Sequence, residues 1–178
     1  MNYALEEGIV DAFVAYLTGK VTDGAAVYAM PSVESITYPA VVVRVASTAP
    51  VIAEISWSDY VRAVIEIGIL TEAQDEIDTA GNVVTTARHR NSTLRQSVLT
   101  ALCVKDSAAT PAGLAGKCNA QDLPHGLAGE LTAQLIQGVW ISSAQPESPL
   151  AVMEVDAEKG VLVTKVAIAV LAQAIEIS

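Results

Sequence analysis

The sequence is poor in basic residues. Only 10 lysines and arginines stand against 20 aspartates and glutamates in 178 residues, so the formal net charge is −10. Proteins that hold a nucleic-acid backbone draw much of their affinity from lysines and arginines that displace counterions from the phosphates. The scarcity of such residues argues against direct nucleic-acid binding, and an acidic surface repels DNA.

Cysteine and histidine occur only twice each. Cys103 and Cys118 are 15 residues apart and form no CxxC motif, and neither His89 nor His125 has a cysteine or histidine within five residues. Metal sites need ligands clustered at short spacing, so we predict no metal site. The cysteines are compatible with a disulfide, but a reduced pair is the expectation for a cytoplasmic protein. Glycine-rich phosphate loops are also missing.

Long apolar runs are absent. A membrane-spanning helix needs about 20 consecutive apolar residues. The longest apolar run, 161–172, is interrupted by Thr164 and Lys165, and its β-branched residues favour a strand. The N-terminal stretch has no basic region and contains Glu6 and Glu7 where a signal peptide is apolar. We therefore expect a soluble protein, made in the cytoplasm, with no membrane segment.

What the sequence has in excess is apolar character. Hydrophobic residues make up 52% of the chain, charged residues only 17%, and the mean hydropathy is +0.42. A globular protein usually has about 25% charged residues. A chain of this length is most simply one domain over residues 1–178, which buries roughly 70% of its unfolded surface. Without a membrane segment, the remaining apolar surplus favours an oligomer.

Four segments are predicted to be strands. The clearest is 59–71, where the odd positions from Val61 to Ile69 are all apolar, as in a strand with one face buried. The last, 160–177, is apolar on both faces, which is typical of a central strand or one covered on both sides. The other two are 38–48 and 139–144, and 51–57 is either a short strand or an extended arm.

Helical periodicity predicts helices at residues 3–18, 85–102 and about 122–138. In the second helix the inner stripe is apolar apart from one asparagine, and its members are Ala87, Asn91, Leu94, Val98, Ala101 and Leu102. The order α, β, β, α, α, β, β suggests two antiparallel hairpins with helices between them. We predict an α+β fold with one mostly antiparallel, four-stranded sheet and helices packed on one face.

No arrangement typical of catalysis is found in the sequence. Neither Ser142 nor Cys103 lies in a nucleophile motif. Glu66 is on the wetter face of a predicted strand, where a carboxylate usually pairs with a cross-strand base such as Arg44 or Arg62. We therefore predict no catalytic, cofactor-binding or metal-binding residues.

Charged residues are concentrated in a predicted loop at 71–82 and in the helix that follows. The residues concerned are the acids Glu72, Asp75, Glu76 and Asp78 and the arginines Arg88, Arg90 and Arg95. One interpretation is a solvated loop beside an ordinary helix face. The other is a head-to-tail contact between subunits, a type of contact that closes into rings. Exposed ion pairs contribute about 0–1 kcal/mol each, so they would orient such a contact while apolar burial drives it.

Several segments together resemble tail terminator and neck (head–tail joining) proteins of tailed bacteriophages. The resemblance covers most of the chain. It is carried by ALEEGIVDAFVAYL, YPAVVVRV, DYVRAVIEIGILTEA, ARHRNSTLRQSVLTAL, VWISSAQPESP and GVLVTKVAIAVLAQAIE. The most characteristic pieces are the histidine-containing helix after an acidic strand end and the turn from Gly138 to Pro149 before a long final strand.

The resemblance implies a small α+β subunit that forms a homo-oligomeric, typically hexameric, ring without catalysis or cofactor. Such a ring, in the tail or neck of the virion and assembled in the host cytoplasm, contacts the tail tube protein and the head connector or stopper. A negatively charged lumen would let DNA pass without specific binding. Terminator and joining roles stay open. So do a head completion or decoration protein and a small cytoplasmic enzyme or ligand-binding domain.

Overall fold

The computed structural model describes residues 3–21, 24–30, 35–50, 60–102, 139–146, 152–156 and 158–174. Two α-helices and eight β-strands lie within these ranges. The helices are α1 (Tyr3–Leu17) and α2 (Ala87–Leu102). The strands are β1 (Ala26–Ala29), β2 (Ala40–Pro50), β3 (Tyr60–Glu72), β4 (Glu76–Ile77), β5 (Val83–Thr85), β6 (Val139–Pro146), β7 (Val152–Asp156) and β8 (Val161–Ala174).

Six of the described strands form one sheet in the order β1-β2-β3-β8-β6, with β7 also paired to β8. The β1–β2 pair is parallel and all other pairs in this sheet are antiparallel. The predicted α+β class is confirmed, but the predicted count of four strands is too low. The four predicted strands are neighbours in the sheet, in the order β2-β3-β8-β6. Strands β1 and β7 have only four and five residues, too few for alternation to stand out.

The centre of the sheet is the long antiparallel pair β3–β8, whose register runs from Tyr60 opposite Gln173 to Glu72 opposite Val161. The alternation predicted for β3 is confirmed, because Ala63, Ile65, Ile67 and Ile69 are fully buried. Their neighbours in sequence are half-buried or exposed. The predicted central position of the last strand is also confirmed, since β8 has partners on both sides.

Both described helices pack on the same face of the sheet. The core combines α1 residues such as Phe13 and Tyr16, α2 residues such as Leu94 and Val98, and the inward isoleucines of β3. Every member of the inner stripe predicted for α2 is buried. The Tyr16 hydroxyl donates a hydrogen bond of 2.7 Å to the Ala101 carbonyl, which ties the two helices together. This confirms, for these helices, the prediction that they cover one face.

Several predictions lie outside the described residues. These are the helix at 122–138, the segment 51–57, the state of Cys103 and Cys118, and the surroundings of His125. The single-domain assignment over 1–178 stays a prediction. In the parts of the chain that the structure describes, neither helix has the length and apolar character needed to cross a membrane.

Candidate functional site

The segment predicted as an acidic loop at 71–82 includes the first strand and the turn of a small β-hairpin that ends at Thr85, so the loop prediction is wrong in part. Strand β4 pairs antiparallel with β5, with Glu76 opposite Thr85 and Ile77 opposite Val83. Strands of two and three residues show no periodicity, and four acids nearby give the segment the composition of a loop. We call residues 72–85 the acidic hairpin.

Asp78 organises the tip of the acidic hairpin. Its Oδ1 accepts hydrogen bonds of 2.8 Å from the backbone N–H groups of Ala80 and Asn82, and its Oδ2 accepts one of 3.0 Å from the Asn82 side chain. Gly81 provides the left-handed residue of the turn, with φ of 83°. These bonds, led by that from the Asn82 side chain, hold the pKa of Asp78 below its ordinary value.

The base of the acidic hairpin is attached to the start of α2. Asp75 Oδ1 accepts a hydrogen bond of 2.7 Å from the Ala87 N–H, and Arg90 donates one to the Gln74 carbonyl. Thr86 caps the helix, because its hydroxyl oxygen accepts a bond of 3.2 Å from the His89 N–H. The hairpin base and the first turn of α2 therefore form one hydrogen-bonded unit.

Asn91 positions α2 on the sheet. This fully buried side chain donates through Nδ2 to the Ile69 and Leu162 carbonyls at 3.3 Å and to the Thr71 hydroxyl at 3.1 Å. Its Oδ1 accepts from the buried Thr164 hydroxyl. One residue of α2 is thus bonded to both β3 and β8, which determines which side of the helix faces outward.

Apolar side chains are exposed on the acidic hairpin. Ile77 is 63% exposed, Val83 54% and Val84 61%. They are three of the five large exposed hydrophobic residues found among the described parts of the chain; the other two are Met30 and Val155. Grouped exposed apolar residues mark interaction surfaces, whereas single ones are ordinary.

Helix α2 carries basic side chains and no acidic ones. Its 16 residues include Arg88, Arg90 and Arg95 but no aspartate or glutamate. A groove of about 650 Å³ runs along the exposed side of this helix. Its described lining includes His89, Thr100 and Lys20 but none of the three arginines. We call this side, with its groove, the basic helix face.

A second cavity, of about 560 Å³, lies between the acidic hairpin and α2. Glu72, Glu76, Tyr38 and Arg90 contribute to its walls, and it shares His89 with the groove on the basic helix face. Among the described residues, no three histidine, cysteine, aspartate or glutamate side chains are grouped to hold a metal ion.

The seven charged residues predicted at a subunit interface fall into two groups, those that form hydrogen bonds within the chain and those that do not. Asp75, Asp78 and Arg90 bond within the chain, to the groups described above. The side chains of Glu72, Glu76 and Arg88 form no hydrogen bond or ion pair with other residues that the structure describes, and the buried Nε of Arg95 finds no hydrogen-bond partner there.

The sheet face away from the helices carries cross-strand ion pairs. Arg44 Nη2 lies 2.7 Å from Glu66 Oε1, and its Nε donates to the same oxygen at 2.9 Å. This confirms the predicted pairing of Glu66 with a cross-strand base. Lys165 pairs similarly with Glu154 at 2.9 Å.

Sequence reasoning missed the apolar part of the site. A signal was present, since Ile77 and the pair Val83-Val84 interrupt a polar segment on either side of an Asn-containing turn. Comparison of the chain with protein-family models and with curated proteins finds no match.

Proposed function

We propose that this chain is a structural subunit of a tailed bacteriophage that forms a ring at the head–tail interface and there terminates or joins the tail tube. The sequence resemblance supplies the phage context. The observation that carries the proposal is that one chain presents two complementary surfaces, the acidic hairpin and the basic helix face. Placing the hairpin of one subunit against the helix of the next is a head-to-tail contact, and repeating it forms a ring when the rotation between neighbouring subunits closes.

Within the proposed contact, the charged residues have different tasks. Glu72, Glu76 and Arg88 form no bond with other described residues and would pair between subunits. Arg95 lies on the same helix as Arg88, and its buried Nε has no partner among the described residues. Asp75, Asp78 and Arg90 act indirectly, because their bonds within the chain shape the hairpin and attach it to α2.

The charge of the chain fits the proposed role. A net charge of −10 per subunit, multiplied around a ring, makes a strongly negative assembly. DNA would pass through such a ring without adhering to it. The tail tube protein on one side and the head connector or stopper on the other are the proposed partners, and the role requires no cofactor and no catalysis.

The test is to add the purified protein to headless tails and, separately, to DNA-filled heads without tails. Mass photometry and negative-stain images should reveal a ring, hexameric by resemblance, on one of these particles. Binding to tails supports a terminator, and binding to the head portal supports a joining protein. Binding spread over the capsid surface would instead indicate a decoration protein. A chain that stays monomeric and binds neither particle would contradict the proposal.

A further inference from the structure

We propose that the acidic hairpin of one subunit inserts its apolar side chains into the groove on the basic helix face of a second copy of this chain. This inference rests on the proposed ring and names the surfaces that drive its assembly. The hairpin provides Ile77, Val83 and Val84, and the second copy provides the groove along α2.

The hairpin does not cover these side chains itself. Ile77 and Val83 are cross-strand partners, yet both remain more than half exposed. Hydrogen bonds from Asp75 to Ala87 and from Arg90 to Gln74 hold the hairpin base at the first turn of its own α2. Its apolar side chains stay exposed in that position, and no described residue of the same chain covers them, so a second copy of the chain is the cover that we propose.

The groove suits an apolar element with acidic flanks. His89, Thr93, Gln96 and Thr100 follow one another along the exposed side of α2, and none carries a negative charge. Arg88 is exposed at the N-terminal end of the same helix. An inserted hairpin would therefore place Ile77 and Val84 in the groove and Glu72 or Glu76 near an arginine.

Charge also selects the head-to-tail arrangement over a two-fold one. In a two-fold contact each hairpin would face its own copy. That arrangement would bring together two segments that each contain Glu72, Asp75, Glu76 and Asp78, with no lysine or arginine between residues 72 and 87. Like charges placed opposite one another disfavour binding, whereas hairpin against helix pairs opposite charges.

The direct experiment places the photoreactive residue benzoylphenylalanine at Val84 in the full chain, in a mixture of ¹⁵N-labelled and unlabelled protein. We expect cross-links from position 84 to residues 87–102 of a differently labelled copy. Val155 is the matched control, since it is 64% exposed on β7 against 61% for Val84, and should give no such product. Cross-links confined to one chain, cross-links between two hairpins, or no cross-linked dimer at high protein concentration would overturn the proposal.

Substitutions provide an independent measurement. Val84→Asp should raise the dissociation constant of self-association about ten-fold or more, because a valine lost from a buried contact has an effect of that order. Val155→Asp should leave it unchanged. Glu76→Arg should weaken association, and mixing it with Arg88→Glu protein should restore it. Circular dichroism establishes that each variant is folded. An unchanged dissociation constant for Val84→Asp overturns the proposal.

The two proposals fail in different ways. If the Val84→Asp variant forms rings on phage particles as readily as the native chain does, that result would support the proposed function and contradict the hairpin contact. Hairpin-to-helix cross-links in a protein that binds neither tails nor heads would support the contact between copies and contradict the phage role.

Discussion

Strand β3 and the acidic hairpin are both built with β-branched apolar residues, yet they use them in opposite ways. Ile65, Ile67 and Ile69 of β3 are fully buried. Ile77 and Val84 of the hairpin, further along the chain, are largely exposed. Residue type alone therefore does not decide burial in this molecule.

The difference comes from the surroundings of each element. Strand β3 has a partner on both edges and helices over one face. The hairpin has two strands of two and three residues, and an isolated two-stranded hairpin has marginal stability in water. It is held by the Asp78 turn and by its attachment to α2. Apolar residues in β3 stabilise the fold, whereas those in the hairpin are available to a partner.

The largest expected effect is that of Ile67→Ala, at the centre of the buried face between Val43 and Val166. Truncating a buried isoleucine leaves a cavity and lowers the free energy of unfolding by about 2–5 kcal/mol. Ile77→Ala should change it by no more than about 0.5 kcal/mol in dilute protein. Urea denaturation measures both. Equal losses in the free energy of unfolding would show that the apolar residues of β3 and of the hairpin contribute equally to stability.

The next effect tests what positions α2. Asn91→Ala removes the hydrogen bonds to two strand carbonyls and leaves the buried Thr164 hydroxyl without its acceptor. We expect a loss of at least about 2 kcal/mol in the free energy of unfolding. Thr93→Ala, on the exposed side of the same helix, is the control and should have little effect. A neutral Asn91→Ala variant would show that apolar packing alone orients the helix.

A smaller effect tests the attachment of the hairpin. Asp75→Ala removes the acceptor of the Ala87 N–H at the start of α2, which should cost about 1 kcal/mol. Hydrogen exchange should quicken in the first turn of α2 and in the hairpin but not in β3. Glu72→Ala removes an acid of the same segment without such a bond and provides the comparison. If hydrogen exchange rises equally in both variants, the negative charge of the segment, and not the Asp75–Ala87 hydrogen bond, stabilises the hairpin and the first turn of α2.

The smallest effect concerns pH. The pKa of Asp78 is lowered in the folded chain, so the unfolded chain takes up this proton first as pH falls. The contribution of Asp78 to the turn is fully present above the ordinary pKa of 3.8 and is lost as pH falls through the lower, folded value. The chemical shift of the Asn82 amide should move in that acidic range and should not do so in Asp78→Asn. A midpoint above 3.8 would contradict the assignment.

Long elements were predictable from the sequence because many residues repeat one pattern. The 13 residues of β3 and the 16 of α2 each offer several periods, so their buried sides could be identified residue by residue. The Arg44–Glu66 pair was also predictable in kind, since it needs only two neighbouring strands and opposite charges.

The candidate site was predictable only in part. The acids and arginines were visible as charge, but the sequence did not distinguish Asp75 and Asp78, which bond within the chain, from Glu72 and Glu76. A hydrogen bond such as that between Asp75 and Ala87 joins residues twelve positions apart, and no local pattern encodes it. The exposed hairpin side chains were missed for the same reason.

The sequence by itself determined the α+β class, the central strands and the buried side of α2, because periodic burial of apolar residues is a local property of a chain. Only the tertiary structure decided that β1 and β7 join the sheet, that residues 76–85 form a hairpin, and that Ile77, Val83 and Val84 stay uncovered. Short strands gain their hydrogen-bond partners, and apolar side chains their cover, from segments distant in sequence. The pairing of these strands and the burial of these side chains therefore depend on how the whole chain packs.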